Sequence, residues 1–585
     1  MSLSRLRSLL WITLLMIVLG AFGVGIAAAD DGETVYIPIG GFYGDTFPGF
    51  LDQAIHHAEH LESDRVYILM MPMSFTVDPV TLTQTDLIIN TQDSERRRRQ
   101  LEDACAEQTP LYCEVVVPPI YTREAAEQEA ALDYFADDLA GVYFLGGDQV
   151  YAMQITANTP LEEALADKFA SGVPMGGNSA GLAVGSRAMI AGYGGDEFGP
   201  ENGFNEGAVL LWNGDEERGL SFGSTSVVLE QHFFERARLS RFLNALTFEG
   251  APGIGIGVDS FTGGLLRGDS VFDGVFGLYG AAVLDVETLG ARESVMFAPA
   301  GDAGAVLSIR DVLLHTVAPG DFSYDIAARA HSLAAPLTES ADVMSLTVPA
   351  GAGRLILSGH SEIAQFMVAD APGTVLLAGY ADAAAAAEAT GYTDGEGALF
   401  IGADTALPDD LADARSLALI VGDITQIDPT LFAPLRDAWL AGADLILAGD
   451  APLLAGVSYA NMPPTPYDSD DDLLIESATQ GTLLDGGTTL AEGWNLLPIV
   501  VESRVMDDNR YGRWIAAAYA NPTAPALALS DEASVTITAD GATVGGTNVV
   551  LHLDLSRAVL DLGSNGGLVI ANGVLDVFAP DDTIE

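Results

Sequence analysis

Apolar and polar positions change their spacing in a regular way from Thr34 onward. Short, nearly continuous apolar runs such as "TVYIPIGG", "RVYILMMP", "GVYFLGGD" and "VPMGGNS" are typical of strands buried on both faces of a parallel sheet. Between them lie "FLDQAIHHAEHLES", "SERRRRQLEDACAE", "TREAAEQEAALDYFADD" and "LEEALADKFASG", which predict helices. This repeated β–α order predicts an α/β domain whose parallel sheet is covered by helices on both faces.

A weaker series of the same kind occupies the second part of the chain. "PLRDAWLAGADLILAGDAPLLAGVS" parallels "PLEEALADKFASGVPMGGNSAGLAVGS", and "IVVESRVMDDNRYGRW" parallels "VVLEQHFFERARLSRF". Both matches indicate an internal duplication, and the alternative is two unrelated α/β domains that share only generic β–α periodicity. We therefore expect a first domain over residues 30–335 and a second, degenerate copy over residues 346–585.

The first residues follow a different pattern. Arg5 and Arg7 precede an apolar run over residues 9–26 and three alanines, which is typical of a secretory signal peptide with cleavage after Ala29. The alternative is an uncleaved anchor, because the apolar run approaches the length of a membrane span. We expect a secreted or extracytoplasmic protein with no membrane contact after signal cleavage, since no later apolar run is long enough to span a bilayer.

Composition narrows the choice of partners and cofactors. The chain carries 82 acidic and 25 basic residues, for a formal net charge of −57. So acidic a surface repels nucleic acid and anionic membranes, and neither is expected as a partner. The only cysteines, Cys105 and Cys113, are too few for a four-ligand zinc site, and no metal or cofactor is expected. Whether this closely spaced pair forms a disulfide, as an exported protein allows, stays open.

Candidate chemistry begins at Ser179, the centre of a G-x-S-x-G motif between an apolar strand and a predicted helix start. Such a turn presents the serine hydroxyl at the end of a sheet and lets the following N–H face an oxyanion. A serine hydroxyl is a weak nucleophile without an adjacent base and an oxyanion site. The motif alone is a weak signal, and an inert serine in a glycine-rich turn is the alternative.

A candidate base follows at His232, directly after an apolar strand-like run. With Glu197 between them in the chain, Ser179 and His232 make a serine–acid–histidine set, in which the acid orients the imidazole and stabilises the imidazolium ion. Asp196 is an alternative acid, and a satisfied, partly buried histidine is the alternative interpretation of His232. The early position of His232 after the serine disfavours the general α/β-hydrolase fold.

Four stretches in a fixed order strengthen this hypothesis: the turn 146–149, the Ser179 elbow, the run 230–238 and "GIGIGVDSFTG". Together they resemble the G-G-D/N-Q, G-x-S-A-G, D-Q-H-F-x-x-R-x-R and G-I-G-I-D-E-x-T-A pattern of the cyanophycinase-like serine peptidases, whose relatives include aspartyl dipeptidase (peptidase E). The resemblance covers residues 34 to about 330. Glu230 replaces the pattern's Asp, and Ser260 stands near its acidic residue after I-D.

The resemblance implies a class I glutamine-amidotransferase-like fold, with a parallel sheet and flanking helices. It makes Ser179 the nucleophile, His232 the general base and Glu197 the third member. The remaining implied site residues are Gly147, Asp148 and Ala180 for an oxyanion hole of backbone N–H groups, and Gln149, Gln231, Arg236 and Arg238 for the substrate pocket. An arginine there can clamp an aspartyl carboxylate through two hydrogen bonds.

In the register of the duplication, Ser179 falls on Ala451 and His232 on Arg504, so the second copy is expected to lack both nucleophile and base. The resemblance implies a secreted serine peptidase that hydrolyses aspartyl peptide or isopeptide bonds, such as those of a cyanophycin-like β-aspartyl-arginine polymer, through an acyl-enzyme. The alternatives are an aspartyl dipeptidase of the peptidase E type and a non-catalytic two-domain surface binding protein. Beyond the substrate, we expect either a homodimer or an intramolecular pseudo-dimer.

Overall fold

The computed structural model describes residues 33–584 apart from 76–77, 302–303, 340–345, 368–372, 394–397, 403–404, 410 and 464–471. The expected signal peptide of residues 1–29 lies outside the described residues. Among the helices that are described, none combines the length and the apolar character needed to cross a membrane.

Strands and helices alternate through most of the first half. Its strands are β1 Val35–Ile39, β2 Arg65–Met71, β3 Tyr112–Val116, β4 Leu139–Phe144, β5 Met175–Asn178, β6 Met189–Tyr193, β7 Val209–Trp212, β8 Val228–Glu230, β9 Ile254–Val258, β10 Thr262–Arg267, β11 Val271–Gly277, β12 Ala281–Asp285, β13 Met296–Pro299, β14 Ala305–Val317, β15 Tyr324–Asp325 and β16 Ala330–His331. Its helices are α1 Phe47–His60, α2 Gln84–Gln108, α3 Arg123–Ala126, α4 Gln149–Thr156, α5 Pro160–Ala170, α6 Ala180–Ala183 and α7 Leu239–Leu246.

Most of these strands belong to a nine-stranded sheet with the order β16-β15-β11-β10-β1-β5-β4-β2-β3. The five strands from β1 to β3 in this order run parallel, and β10 and β11 extend the sheet in antiparallel fashion. The parallel strands are apolar on both faces because helices cover both, and β4 is buried along its whole length. The predicted α/β class with a parallel core is therefore confirmed, with an antiparallel extension that the sequence pattern did not predict.

One predicted helix differs in the structure. The segment "TREAAEQEAALDYFADD" forms the single-turn helix α3, capped by the Thr122 hydroxyl, and then a separate 3-10 helix over Glu129–Tyr134. Ala126 and Ala131 are both buried, but they lie five positions apart. A continuous α-helix would place them on different faces, so the chain breaks the helix to bury both.

The second half has its own set of elements. Its strands are β17 Leu355–Ser358, β18 Gly373–Ala378, β19 Ala398–Phe400, β20 Ser416–Val421, β21 Asp444–Gly449, β22 Ser458–Ala460, β23 Leu490–Glu492, β24 Val500–Ser503, β25 Ala526–Leu529, β26 Ala533–Ile537, β27 Ala542–Gly546, β28 Val550–Asp554, β29 Val559–Leu562, β30 Leu568–Phe578 and β31 Thr583–Ile584. Its helices are α8 Ala383–Thr390, α9 Ala433–Leu440, α10 Asp472–Gly481 and α11 Tyr511–Ala520.

The two halves have matching strand arrangements. In the first half β1 lies between parallel β5 and antiparallel β10, and in the second half β17 lies between parallel β21 and antiparallel β26. A buried ion pair also recurs, because Arg241 Nε lies 2.9 Å from a Glu230 carboxylate oxygen and Arg513 Nε lies 2.9 Å from a Glu502 oxygen.

A third sheet is shared by both halves. Eight of its ten strands follow the order β24-β25-β28-β30-β14-β12-β9-β8, while β13 pairs with β14 and β29 pairs with β30. Each half therefore contributes five strands, and the long strands β14 and β30 pair antiparallel at the centre. On each side the outermost pair is parallel, β8 with β9 and β24 with β25. The sheet therefore continues from one half into the other, and the ends of β8 and β24 lead into the turns that follow them.

Cys105, near the end of α2, and Cys113, in β3, form a disulfide with their Cα atoms 6.1 Å apart. Both side chains are buried in the core between α1, α2 and the sheet. The bond therefore ties the end of the longest helix to the edge strand of the nine-stranded sheet.

We expect replacement of both cysteines by serine to lower the free energy of unfolding by about 2–3 kcal/mol, because closing even a short loop removes freedom from the unfolded chain. Urea unfolding of the oxidised wild type and the double variant measures this difference. Dithiothreitol should destabilise the wild type to the level of the double variant and leave the variant unchanged. Equal midpoints without dithiothreitol would contradict the prediction.

Candidate active site

Ser179 lies on a strained turn at the carboxyl end of β5, one of the central strands. Its backbone has φ 54° and ψ −116°, a combination that is costly for a residue with a side chain and is found mainly at functional sites. The turn needs its two flanking glycines, since an added Cβ at Gly177 or Gly181 would meet the Phe144 carbonyl oxygen at 2.2 or 2.3 Å. Helix α6 begins immediately afterwards, so the strand–elbow–helix arrangement is the one that the sequence predicts.

The structure brings His232 to Ser179, as predicted. His232 follows β8 and has a positive φ of 46°, and its Nε2 lies 3.0 Å from Ser179 Oγ. The ring is buried, with only 5 % of the residue exposed. Gly41 gives it room, because an added Cβ there would lie 2.2 Å from His232 Cε1. The distance and the burial fit a general base that accepts the serine proton.

Glu235, not Glu197, lies at the other ring nitrogen. His232 Nδ1 is 3.2 Å from Glu235 Oε1 and 2.7 Å from Ser260 Oγ. The Ser260 backbone N–H also donates to Glu235 Oε1, at 2.8 Å. Glu197 is exposed on the loop after β6, where its backbone carbonyl accepts from Asn202. The structure therefore places Glu235, and not the predicted Glu197, in the position of the third member. The alternative acid, Asp196, is exposed on the same loop as Glu197.

Sequence reasoning missed Glu235 because it looked for an acid between the serine and the histidine in the chain. Glu235 follows His232 by three positions, and the turn reverses sharply there, with positive φ at both His232 and Ala237. One signal was present. Ser260 stands near the acidic position of the resembled pattern, and its hydroxyl does reach His232 Nδ1. The carboxylate missing from that position is supplied by Glu235, which reaches the same ring nitrogen.

The electrostatics of this cluster favour a neutral imidazole and an ionised Glu235. Burial lowers the pKa of His232 to about 4, partly offset by Glu235 and reinforced by Arg236 and Arg238. Burial alone would raise the pKa of Glu235, but hydrogen bonds from His232 and Ser260 lower it below its usual value. With Glu235 ionised, the Nδ1–H tautomer of His232 is favoured, which leaves Nε2 free to accept a proton from Ser179.

Asp259 is the second carboxyl group below the histidine. Burial, followed by the charge of Glu235, raises the pKa of Asp259 well above its usual value. Its Oδ1 accepts the Phe234 backbone N–H at 2.9 Å. Because the pKa of Glu235 is lowered and that of Asp259 is raised, Glu235 is the carboxyl group that ionises first.

Two of the three predicted oxyanion donors remain available. The Asp148 backbone N–H is already used, since it donates to the Ser74 carbonyl at 2.5 Å, and the Asp148 side chain caps α4. Within the described residues, the N–H groups of Gly147 and Ala180 donate to no protein acceptor. An added Cβ at Gly146 would lie 3.2 Å from Ser179 Cβ, which places this turn against the serine. Gly147 and Ala180 therefore fit an oxyanion hole, and Asp148 does not.

The predicted pocket residues divide into supporting and exposed groups. Ser179 Oγ also lies 2.5 Å from Gln231 Oε1, and Gln149 binds both Gln231 and the Ile190 carbonyl. Arg238 donates to the Gln231 carbonyl at 2.9 Å, so it holds the segment before the histidine. Arg236 is exposed to solvent. Of the two predicted arginines, Arg236 is therefore the more exposed one.

An aromatic wall beside the histidine had no signal in the sequence. Phe42 and Phe261 stack with ring centroids 4.4 Å apart, and both have positive φ. Phe42 also meets the edge of His232 at 6.2 Å. Phe42 follows β1 and Phe261 precedes β10, two strands that pair in the sheet, and both residues are partly exposed. They shield one side of the imidazole from water.

The second half has the same turns without the same chemistry. Ala451 follows β21 where Ser179 follows β5, and Arg504 follows β24 with a φ of 55°, close to that of His232. Arg510 is fully buried there and binds Asp450 at 2.6 Å and Asp508 at 2.6 Å. The residues at these two positions, Ala451 and Arg504, are neither a nucleophile nor a base, as the sequence predicted. Arg510, Asp450 and Asp508 form a buried ion cluster in this region.

Part of this chain is similar to curated cyanophycinases. The chain is 28% identical to a cyanophycinase of Geminocystis herdmanii over 188 residues, which is 32% of this chain and 63% of the relative. It is 28% identical to a cyanophycinase of Nostoc sp. over 199 residues, covering 34% and 60%. This chain therefore spans about three fifths of the length of these relatives.

Among solved structures, a peptidase from an acI-B1 actinobacterium is 18% identical and covers 43% of this chain and 92% of its own, with a TM-score of 0.32. No family model matches the chain. The serine elbow and the histidine lie in the part of the chain that resembles the cyanophycinase-like serine peptidases, and the curated relatives similar to this chain are cyanophycinases.

The first prediction from the site separates the two candidate acids. Glu235→Gln should lower the rate of Ser179 labelling by a fluorophosphonate by roughly 10²–10⁴-fold, the range in which general acid–base catalysis contributes. Glu197→Gln, an identical change on an exposed loop, should leave the rate unchanged. Mass spectrometry of the labelled peptide over time measures both rates. The assignment fails if the two variants behave in the opposite way.

The second prediction concerns pH. Imidazolium cannot accept the serine proton, so the labelling rate should fall as pH drops through about 4, the pKa to which burial lowers His232. It should be nearly constant between pH 6 and 8, whereas an exposed histidine would lose half its activity near 6.5. A midpoint near 6.5 would show that the ring is not buried as described.

Circular dichroism must follow the folded fraction in the same buffers. Burial also lowers the pKa of His57 to about 4 and of His315 to about 3. The unfolded chain therefore binds more protons than the folded chain below pH 6.5, and these groups make stability fall as pH falls from 6.5 toward those values. The pH profile includes only labelling rates measured in buffers where the ellipticity is unchanged.

Proposed function

We propose that this chain is an exported serine peptidase that hydrolyses aspartyl peptide or isopeptide bonds through an acyl-enzyme. The observation that carries the proposal is the 3.0 Å contact between Ser179 Oγ and His232 Nε2, with Glu235 at Nδ1 of the same ring. The relatives named cyanophycinase support the substrate class, and the β-aspartyl-arginine polymer cyanophycin is the first substrate to test.

In the acylation step, Ser179 Oγ attacks the scissile carbonyl carbon while His232 Nε2 takes the hydroxyl proton. The N–H groups of Gly147 and Ala180 stabilise the oxyanion of the tetrahedral intermediate. Glu235 stabilises the imidazolium ion, which then gives its proton to the leaving amine as the C–N bond breaks. Water attacks the acyl-enzyme in the same way, with His232 again as base, and releases the acid product.

The surroundings of the site suit an aspartyl substrate with a cationic partner. The guanidinium of Arg236 is exposed and can pair with a free carboxylate. The net charge of −57 attracts arginine side chains of a polymer toward the protein. Glu230, in contrast, is buried and bound by Arg241 at 2.8 and 2.9 Å, so its departure from the resembled pattern affects the support of the turn and not the pocket.

We further propose a class I glutamine-amidotransferase-like fold for residues 30–335 and a diverged copy of it in residues 346–585. The matching strand neighbours of β1 and β17 support this, as do the Glu230–Arg241 and Glu502–Arg513 pairs. The shared central sheet supports an intramolecular pseudo-dimer over a homodimer. The disulfide supports export through the signal peptide of residues 1–29, because such bonds persist in oxidising compartments.

The decisive experiment compares the chain from Asp30 onward with its Ser179→Ala variant on insoluble cyanophycin and on an α-aspartyl dipeptide. We expect the wild type to release β-aspartyl-arginine and the variant to release none. Cleavage of the dipeptide alone would favour an aspartyl dipeptidase of the peptidase E type. If Ser179 is labelled but neither substrate is cleaved, the proposal of a reactive serine stands and both proposed substrates are rejected. The absence of labelling would favour a non-catalytic binding protein.

A further inference from the structure

We propose that Asn509 and Gln480, both in the second half, are positioning residues for the catalytic histidine of the first half. They hold the backbone of the two residues that contact His232 Nδ1. The second half would then complete the active site and not merely pack beside it. This inference rests on the proposed function, because it assigns a role in the chemistry of Ser179 and His232.

Asn509 acts on Glu235. Its side-chain Nδ2 donates to the Glu235 backbone carbonyl at 2.8 Å, and the residue is only 3 % exposed. A buried amide hydrogen bond of this length restrains the backbone of the acceptor residue, and through it the direction of the carboxylate. Among the described residues, the backbone hydrogen bonds within this turn join Ala237 to Phe234 and Arg238 to Phe233, and neither involves Glu235. The contact from the second half is therefore a restraint that the turn itself does not provide.

Gln480 acts on Ser260. It lies in the last turn of α10, is fully buried, and its Nε2 donates to the Ser260 backbone carbonyl at 3.2 Å. Ser260 contributes two groups to the cluster, its hydroxyl at His232 Nδ1 and its N–H at Glu235. Glu235 and Ser260, the two residues that contact His232 Nδ1, thus each have their backbone carbonyl bound by a side-chain amide of the second half.

The turn that carries Asn509 is itself rigid. Arg510, the next residue, is fully buried and binds Asp450 and Asp508, each at 2.6 Å. Asn509 has a φ of 46°, which asparagine tolerates better than most residues. Asp450 stands directly before Ala451, where the second copy lacks its serine. The residues of the inactive site therefore form an ion cluster that fixes the position of Asn509.

The test uses three variants of the full chain from Asp30. Asn509→Gly keeps the left-handed backbone and removes the amide, and Gln480→Met keeps the length and removes the donor. Asn495→Gly is the matched control, since Asn495 is exposed in the second half with a φ of 52°. For each variant we would measure the rate of Ser179 labelling, kcat and KM on the cleaved substrate, the melting temperature and the crystal structure.

We expect Asn509→Gly and Gln480→Met each to lower kcat and the labelling rate about tenfold or more with KM unchanged, because a misplaced base affects the chemical step and not binding. In a Glu235→Gln background the loss from Asn509→Gly should largely disappear, since the carboxylate that it positions is already gone. Asn495→Gly should match the wild type.

Wild-type rates together with an unmoved Glu235 and Ser260 in the variant crystals would overturn the proposal. A loss of the same size in the Glu235→Gln background would also overturn it, because it would point to general destabilisation. If the wild type is labelled but cuts neither substrate, only the proposed substrates are rejected. The labelling rates of the variants then still decide whether Asn509 and Gln480 have the positioning role. If the wild type is not labelled, the proposed function fails, and displacement of Glu235 or Ser260 in the crystals decides the positioning role.

Discussion

The antiparallel pairing of β14 with β30 is the contact on which the rest of this structure depends. It runs from Ile309 opposite Val577 to Thr316 opposite Ile570 and joins the small sheets of both halves into one. The backbone hydrogen bonds of this pairing hold the two halves in a defined register. The turn after β8 carries His232 and Glu235, and the turn after β24 carries Asn509. Asn509 bridges these two turns through its hydrogen bond to the Glu235 carbonyl.

In both turns, buried ion pairs hold the backbone in position. In the first half Glu230 is bound by Arg241 and reached by Arg238, which also holds the carbonyl before His232. In the second half Glu502, Arg510 and Arg513 have the same arrangement, to which Asp450 is added. Buried ion pairs contribute little net stability because desolvation offsets their attraction, but loss of one partner is strongly destabilising because it leaves a buried charge uncompensated. Here they fix two turns that contain strained, positive-φ residues.

The cluster around His232 illustrates how a catalytic carboxylate can change its place in the chain. The ring nitrogen requires a hydrogen-bond acceptor with negative charge, but it does not require that the acceptor come from one particular strand. Ser260 supplies a hydroxyl from the loop between β9 and β10, and Glu235 supplies the charge from the turn after β8. Burial and the charge of Glu235 raise the pKa of Asp259 beside them, so negative charge in this cluster settles first on Glu235.

The amino-acid sequence by itself determined the α/β class, the parallel core, the Ser179 elbow and the choice of His232, because these depend on local periodicity and on a motif whose glycines act within a few residues. The disulfide was left open by the sequence and is present in the structure. The third member was placed at Glu197, and Asp148 was placed in the oxyanion hole. Only the tertiary structure could decide these positions, since hydrogen bonds at His232 Nδ1 and at the Asp148 amide depend on which turns meet in space. The same holds for Asn509 and Gln480, whose contacts cross from one half to the other through a strand pairing that no local pattern encodes.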